Sequence, residues 1–101
     1  MWHTIATLAE CPPGTNCERV VAERIIGLCN INGVFYALDG VCPHQGGPLG
    51  QGRVTDCWVT CPWHGWQFDV RDGQHRLNAK LRQTTYPTRV VGEEIQVEIV
   101  G

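Results

Sequence analysis

Residues 42–49 read CPHQGGPL and residues 61–66 read CPWHGW. Each of these two boxes offers one cysteine and one histidine, whereas a zinc finger usually groups two cysteines together and two histidines together. The pattern suits a binuclear iron–sulfur cluster in which one iron takes both cysteines and the other takes both histidines. The candidate ligands are Cys42, His44, Cys61 and His64.

The rest of the chain predicts strands. Short apolar and β-branched runs are interrupted at short intervals by Gly, Pro, Asn or Asp, which favours an all-β protein and leaves no convincing amphipathic helix. Asn32-Gly33 predicts a hairpin between residues 24–31 and 34–38, because this pair tolerates the two positive φ angles of a type I′ turn.

A second hairpin is predicted at residues 89–100, where apolar and polar side chains alternate and give one buried face. Between the hairpins, residues 41–69 are rich in glycine, proline and tryptophan, and so dense a set of loops needs another source of order. Within this stretch we expect short strands at residues 54–60 and 67–70.

Both boxes closely resemble the cluster-binding boxes of Rieske iron–sulfur proteins. Gly52, Val54 and Val59 lie where this family tends to place a glycine and two apolar residues, and Phe68-Asp69 follows the second box as in many members. The resemblance implies an antiparallel β sandwich or barrel base with an inserted, loop-rich cluster-binding lobe. We expect one domain over residues 1–101, with its base at 1–40 and 80–101 and its lobe at 41–79.

The resemblance also implies one Rieske-type [2Fe-2S] cluster on the four candidate ligands. Two ferric ions, two sulfides and two thiolates carry no net formal charge, so the reduced cluster is only singly negative. Rieske clusters therefore have potentials of roughly −150 to +300 mV, above the value of about −400 mV of plant-type ferredoxins. We expect the second ring nitrogens of His44 and His64 to face solvent or a partner.

Rieske proteins of cytochrome bc complexes carry one more cysteine in each box, joined as a disulfide, and a serine that hydrogen-bonds to the cluster. This chain has Gly47, Trp63 and Trp66 at those three positions. Fewer hydrogen bonds stabilise the reduced cluster less. We therefore predict a potential at the low end of the Rieske range, as in the ferredoxins of bacterial ring-hydroxylating dioxygenases.

The function implied by the resemblance is that of a soluble electron carrier between a flavin-dependent ferredoxin reductase and a terminal Rieske oxygenase. The chain is not expected to be an enzyme itself, because it has no room for the 2-His-1-carboxylate iron domain of the oxygenase. One alternative is the small subunit of an NADH-dependent assimilatory nitrite reductase. Another is a structural zinc module on the same four ligands.

Composition and charge disfavour several other classes of protein. Eight Lys and Arg against ten Asp and Glu give a net charge of −2, which disfavours nucleic-acid binding. No apolar run is long enough to cross a membrane, and the N-terminal residues lack a secretory signal, so we expect a cytoplasmic protein with reduced cysteines. Five basic residues and one acidic residue in 71–89 indicate either a solvated strand face or a docking patch for an acidic protein.

Several residues match neither box. We expect Cys11, Cys17, Cys29 and Cys57 to be small core residues, with Cys11 and Cys17 as the pair to test for oxidation. His3 and His75 are predicted to be surface histidines. For Trp63 and Trp66, packing over the cluster loops is favoured over a stacking platform for a partner.

Overall fold

The computed structural model describes residues 1–43 and 46–100 and confirms an all-β, antiparallel fold. Helical segments among these residues are limited to the 3-10 turns Leu8–Glu10 and Leu49–Gln51, and neither could reach across a bilayer. The strands are β1 (Trp2–Thr7), β2 (Asn16–Val21), β3 (Arg24–Ile31), β4 (Val34–Asp39), β5 (Arg53–Thr55), β6 (Trp58–Thr60), β7 (Gln67–Asp69), β8 (Thr85–Tyr86), β9 (Thr88–Val91) and β10 (Glu94–Glu98).

The strands form three sheets with the orders β1-β10-β9, β2-β3-β4-β8 and β5-β6-β7. Successive residues of a strand point to opposite faces of a sheet. Both faces of the four-stranded sheet are covered by other parts of the chain. One face packs on the β1-β10-β9 sheet through a core that includes Leu28 and Val97. The other packs on the β5-β6-β7 sheet through a core that includes Cys29 and Phe68. Burial of each large apolar side chain contributes roughly 1.5–3 kcal/mol.

Both predicted hairpins are present. The β3–β4 turn has φ angles of 53° at Asn32 and 88° at Gly33, as a type I′ turn requires. In the second hairpin, β9 pairs with β10 and Glu94 lies opposite Val91, so the turn is Gly92-Glu93. Strand β10 ends at Glu98, two residues earlier than predicted.

One strand prediction needs correction, and strands β1, β2 and β8 were not predicted. The single strand expected at 54–60 is a hairpin of β5 and β6, and the chain turns at Asp56 with a positive φ of 55°. Strand β2 joins β3 through Ala22 and Glu23, which also have positive φ. Strand β1 pairs with β10 and was not predicted. The strand expected at 67–70 is present as β7. The β5-β6-β7 sheet is formed by the middle of the sequence. The proposed boundaries between base and lobe stay a prediction.

The turn that follows the first box is attached to the central sheet. The Asn16 side-chain amide donates hydrogen bonds to the carbonyl oxygens of Leu49 and Gly52 at 3.0 and 3.1 Å. A side chain on Gly27 would place its Cβ 3.1 Å from the Gly50 Cα, so the turn approaches the sheet as closely as backbone allows. The end of the first box is therefore fixed by β2 and β3.

Asp69 ends β7 and organises the turn that leaves it. Its carboxylate accepts hydrogen bonds from the Arg71 backbone N–H at 2.9 Å, from Nε at 2.9 Å and from Nη2 at 2.7 Å. Asp69 is buried, and these bonds to Arg71 hold the pKa of its carboxyl below the usual value. This ion pair stabilises the chain just beyond the second box.

We expect Asp69→Asn to destabilise the protein by about 1.5–3 kcal/mol at pH 7, because a charge-assisted bond is lost. The carboxyl has a lower pKa when folded than when unfolded. Its contribution is thus complete above an unfolded pKa of about 3.9 and disappears as the pH falls through the folded value.

Thermal unfolding at pH 7, 5 and 3.5 measures this contribution, and the difference between wild type and variant should narrow only at the lowest pH. Asp72→Asn, which removes an exposed carboxylate in the same turn, is the matched control. A difference that is constant across the pH range would contradict the assignment.

Candidate metal centre

Within the first box, backbone hydrogen bonds of Cys42 close a loop between residues 42 and 47. The Cys42 N–H donates to the Gly47 carbonyl at 2.8 Å, and the Cys42 carbonyl accepts from the Gly46 N–H at 2.9 Å. Gly46 has a φ of +73°, a left-handed conformation that favours glycine. Cys42 itself is buried, with 2% of its surface exposed.

The second box has the same construction. The Cys61 N–H donates to the Trp66 carbonyl at 2.7 Å, and the Cys61 carbonyl accepts from the Gly65 N–H at 3.0 Å. Gly65 has a φ of +75°, and Cys61 is also 2% exposed. Two loops of equal length thus present two buried cysteines through the same pair of backbone hydrogen bonds.

The two loops touch at Gly47. A Cβ atom there would lie 2.7 Å from the Cys61 Sγ and 3.1 Å from the nearest Trp63 ring carbon. Cys42 and Cys61 belong to one buried apolar cluster, so both thiols lie in a dry environment shared by the two loops. The contact also joins Gly47 and Trp63, the two positions where cytochrome bc members have their additional cysteines.

The predicted ligands have different environments in the structure. Cys42 and Cys61 are buried, His64 is exposed, and His44 lies outside the described residues. Within 1–43 and 46–100, the structure does not bring three Cys, His, Asp or Glu side chains together around a single-ion site. A two-iron cluster does not require such convergence, because each iron takes only two protein ligands.

The prediction that His75 is a surface residue is wrong. It is 8% exposed, and its ring stands edge-on to Trp66 and Phe68 at centroid distances of 4.7 and 5.2 Å. Its Nδ1 accepts hydrogen bonds from the backbone N–H groups of Leu77 and Asn78, both at 3.1 Å. The sequence shows no signal for this role, since a single histidine in a turn is usually exposed. His3 is partly buried in β1.

The tryptophans of the second box differ in exposure. Trp66 is partly buried and packs against the apolar cluster of the two cysteines, as predicted. Trp63 has its ring against Gly47 but is 57% exposed. The rim of the second loop is therefore formed by an exposed aromatic ring beside the exposed His64.

The other cysteines form no disulfide. Cys11 and Cys29 are fully buried, as expected, whereas Cys17 and Cys57 are only partly buried. The neighbouring Cys11 thiol and burial raise the pKa of Cys17. Burial raises the pKa of Cys29 to about 12, and its thiol donates to Asn16 Oδ1 at 3.3 Å. Burial keeps Cys29 a neutral core thiol.

The residues of the two boxes fit a Rieske cluster. The loops bring two buried cysteines to one place, and only a glycine at 47 leaves room beside the Cys61 sulfur. Soft thiolates would suit ferric iron in such a dry position, and the exposed His64 would supply one of the imidazole ligands of a Rieske cluster.

Comparisons with known proteins agree. Residues 1–92 match the family model described as Rieske [2Fe-2S] domain. The ferredoxin component of the alkene monooxygenase system of Xanthobacter autotrophicus is 36% identical over 78 residues, which cover 76% of this chain and 64% of that protein. The 3-phenylpropionate/cinnamic acid dioxygenase ferredoxin subunit of Escherichia coli is 32% identical, covering 91% of this chain and 88% of that protein.

Solved structures with a similar fold include two that match nearly the whole chain. The ferredoxin of carbazole 1,9a-dioxygenase from Nocardioides aromaticivorans has a TM-score of 0.88 at 28% identity, with 96% of both chains covered. A protein from Mycobacterium tuberculosis described as the small subunit of an NADH-dependent nitrite reductase has a TM-score of 0.91 at 24% identity, covering 100% of this chain and 96% of that one.

A complex of oxygenase and ferredoxin in carbazole 1,9a-dioxygenase includes a chain with a TM-score of 0.85 at 22% identity, covering 95% of this chain and 91% of that one. Below 25% identity, such likeness shows the fold alone. With the family match over residues 1–92 and the fitting geometry of both boxes, the chain belongs to the Rieske [2Fe-2S] domain family.

Proposed function

We propose that this protein is an electron carrier that takes electrons from a flavin-dependent ferredoxin reductase and passes them to a terminal Rieske oxygenase. A [2Fe-2S] cluster bound by the two boxes supplies one-electron chemistry. In this proposal Cys42 and Cys61 hold one iron, and His44 and His64 hold the other. The chain is a carrier and not a catalyst, as the names of its ferredoxin relatives indicate for those proteins.

The observation that carries the proposal is the contrast between the two buried cysteines and the exposed histidine of the second box. Both cysteines are 2% exposed, whereas His64 lies on the surface next to the exposed Trp63. In this proposal Cys42 and Cys61 would hold one iron away from water, and the exposed His64 would give a partner protein access to the cluster. A carrier needs such an exposed edge.

The nitrite reductase subunit remains the alternative, but no specific contact among the residues that the structure describes favours it. The solved structure with that description is 24% identical and shows only a shared fold. The relative at 32% identity and the solved ferredoxin at 28% identity are both named as dioxygenase ferredoxins and match most of their own length. We therefore favour the oxygenase system.

We also propose a cytoplasmic location. All six cysteines are free of disulfides, which is typical of proteins in reducing compartments.

Electron transfer is tested with anaerobically purified protein. We expect iron and acid-labile sulfide, reduction by the reductase of the 3-phenylpropionate/cinnamic acid dioxygenase system, and reoxidation by the matching oxygenase. The potential should lie near the low Rieske limit of about −150 mV. A protein that contains a cluster but exchanges electrons only when copurified with a sirohaem nitrite reductase would contradict the proposal.

The role of His64 as a ligand is tested by His64→Cys. A thiolate adds negative charge to the cluster, so we expect the variant to keep a cluster but to lower the potential, by on the order of 100 mV. Redox titration followed by EPR measures the shift. His3→Cys, the same substitution in β1, is the control, and an unchanged potential in His64→Cys would show that His64 is not a ligand.

The contact between the loops is tested by Gly47→Ala. The new Cβ would lie 2.7 Å from the Cys61 Sγ, and such overpacking costs about 1–3 kcal/mol. We expect less iron and sulfide per purified chain. Gly33→Ala, whose Cβ meets no atom within 4 Å, should strain its turn without lowering the iron content, and equal iron in both variants would refute the role of Gly47.

A further inference from the structure

The segment of residues 76–82, which we call the basic loop, lies beside the second box. The Arg76 N–H donates to the Gln67 carbonyl at 2.9 Å, and Arg76 Nη1 donates to Gln67 Oε1 at 3.0 Å. The guanidinium also lies 4.8 Å from the centre of the Trp58 ring. Gln67 and Trp58 belong to β7 and β6, the strands that the second box connects, so the basic loop is attached to the base of that box.

Three cations of the basic loop have no acidic partner among the described residues. Arg76, Lys80 and Arg82 are exposed, and the ion pairs found in 1–43 and 46–100 are Arg19 with Glu10 and Arg71 with Asp69. Because the whole chain has a net charge of −2, this positive patch contrasts with the rest of the molecule.

Leu77 lies among these cations and is 90% exposed, more than the other exposed large apolar side chains of the described residues. Its backbone is nevertheless fixed, because its N–H donates to the buried His75 Nδ1 at 3.1 Å. An exposed leucine on a fixed backbone loses little entropy when a partner covers it.

Hydrogen bonds also hold the rest of the loop. The Gln74 side chain donates to the carbonyls of Asn78 and Leu81 at 3.2 and 3.0 Å, and it accepts from Arg82 Nη2 at 3.1 Å. Asn78 Oδ1 accepts from the Lys80 N–H at 2.9 Å. The charges are thus displayed on an ordered loop.

We propose that the basic loop is a docking site for an acidic surface of the terminal oxygenase, with Leu77 as its apolar contact. This inference rests on the proposed function and adds the chemistry of partner recognition. The oxygenase is the chosen occupant because a ferredoxin of the same fold is found in complex with one. Unpaired cations raise the rate of encounter with carboxylates, and a small apolar contact fixes the orientation of the complex.

The test measures the rate at which the reduced protein is reoxidised by the oxygenase that accepts its electrons in the assay above, at low and high ionic strength. For the wild type we expect a rate that falls as salt is added. Lys80→Glu with Arg82→Glu should lower the low-salt rate about ten-fold or more and remove most of the salt dependence.

Arg24→Glu is the matched control for charge, because Arg24 is exposed in the β2–β3 hairpin, distant in sequence from the basic loop. It should leave the rate within about two-fold of the wild type. Leu77→Ser should slow reoxidation at both salt concentrations, while Val20→Ser, which replaces another highly exposed apolar residue on β2, should not. The spectrum and potential of every variant should match the wild type, so that folding and driving force are excluded as causes.

Several results would overturn the docking site while leaving the proposed function intact. These are a wild-type rate that does not fall with salt, equal slowing by Arg24→Glu and by the double variant, or slowing confined to reduction by the reductase. If the wild type transfers no electrons to any oxygenase, the proposed function itself fails.

Discussion

Each cysteine assigned to the cluster uses both polar groups of its own backbone to close a six-residue loop. The N–H bonds to the sixth residue and the carbonyl bonds to the fifth, in both boxes. Buried backbone groups must be paired, and here they are paired inside the loop, so the cysteine needs no neighbouring strand. Gly46 and Gly65 occupy the fifth position because the closure requires a positive φ there. Because of this closure, two cysteines that lie outside regular strands can be buried in the apolar interior.

The sheets then determine where the two loops meet. The second box joins β6 to β7, whose ladder holds both of its ends. Among its described residues, the first box has its ends held by one bridge between Val41 and Pro48 and by the Leu49 N–H, which donates to the Gly40 carbonyl. Asn16 supplements these bonds from β2. The central sheet thus holds the ends of the first box in place, as the β6–β7 ladder holds the ends of the second.

The sequence was most informative where a residue pattern is compatible with few backbone conformations or few kinds of metal site. Asn32-Gly33 identified its hairpin because this pair has low strain at positive φ. The two boxes indicated the cofactor because each pairs one cysteine with one histidine, which is the ligand pattern of a Rieske cluster and unusual for a zinc finger. The turns at Ala22-Glu23 and Asp56 were not predicted. Alanine and glutamate seldom adopt a positive φ, and an aspartate with no glycine after it is a weak turn signal. Their strands β2, β5 and β6 were consequently missed or merged.

Burial was harder to predict than ligation. His75 has the local sequence of a surface histidine, and only the packing of Trp66 and Phe68 around its ring makes it a buried acceptor for the basic loop. Partial exposure of Cys17 and Cys57 likewise depends on the chain around them, because a cysteine packs equally well at the edge of a core. Such features arise from contacts between distant residues, on which a local pattern carries no information.

A carrier that serves two proteins in turn must bind each quickly and release it quickly. Large apolar interfaces give slow release, whereas charges accelerate encounter without adding much affinity at physiological salt. The surface around the second box follows that requirement, since it combines the exposed Leu77 and Trp63 with cations that have no acidic partner among the described residues. Inside the same box, the Cys61 side chain is closed to water. Selectivity for a partner can therefore reside in the basic loop, and the potential can be set by the buried loops, so that each can change without the other.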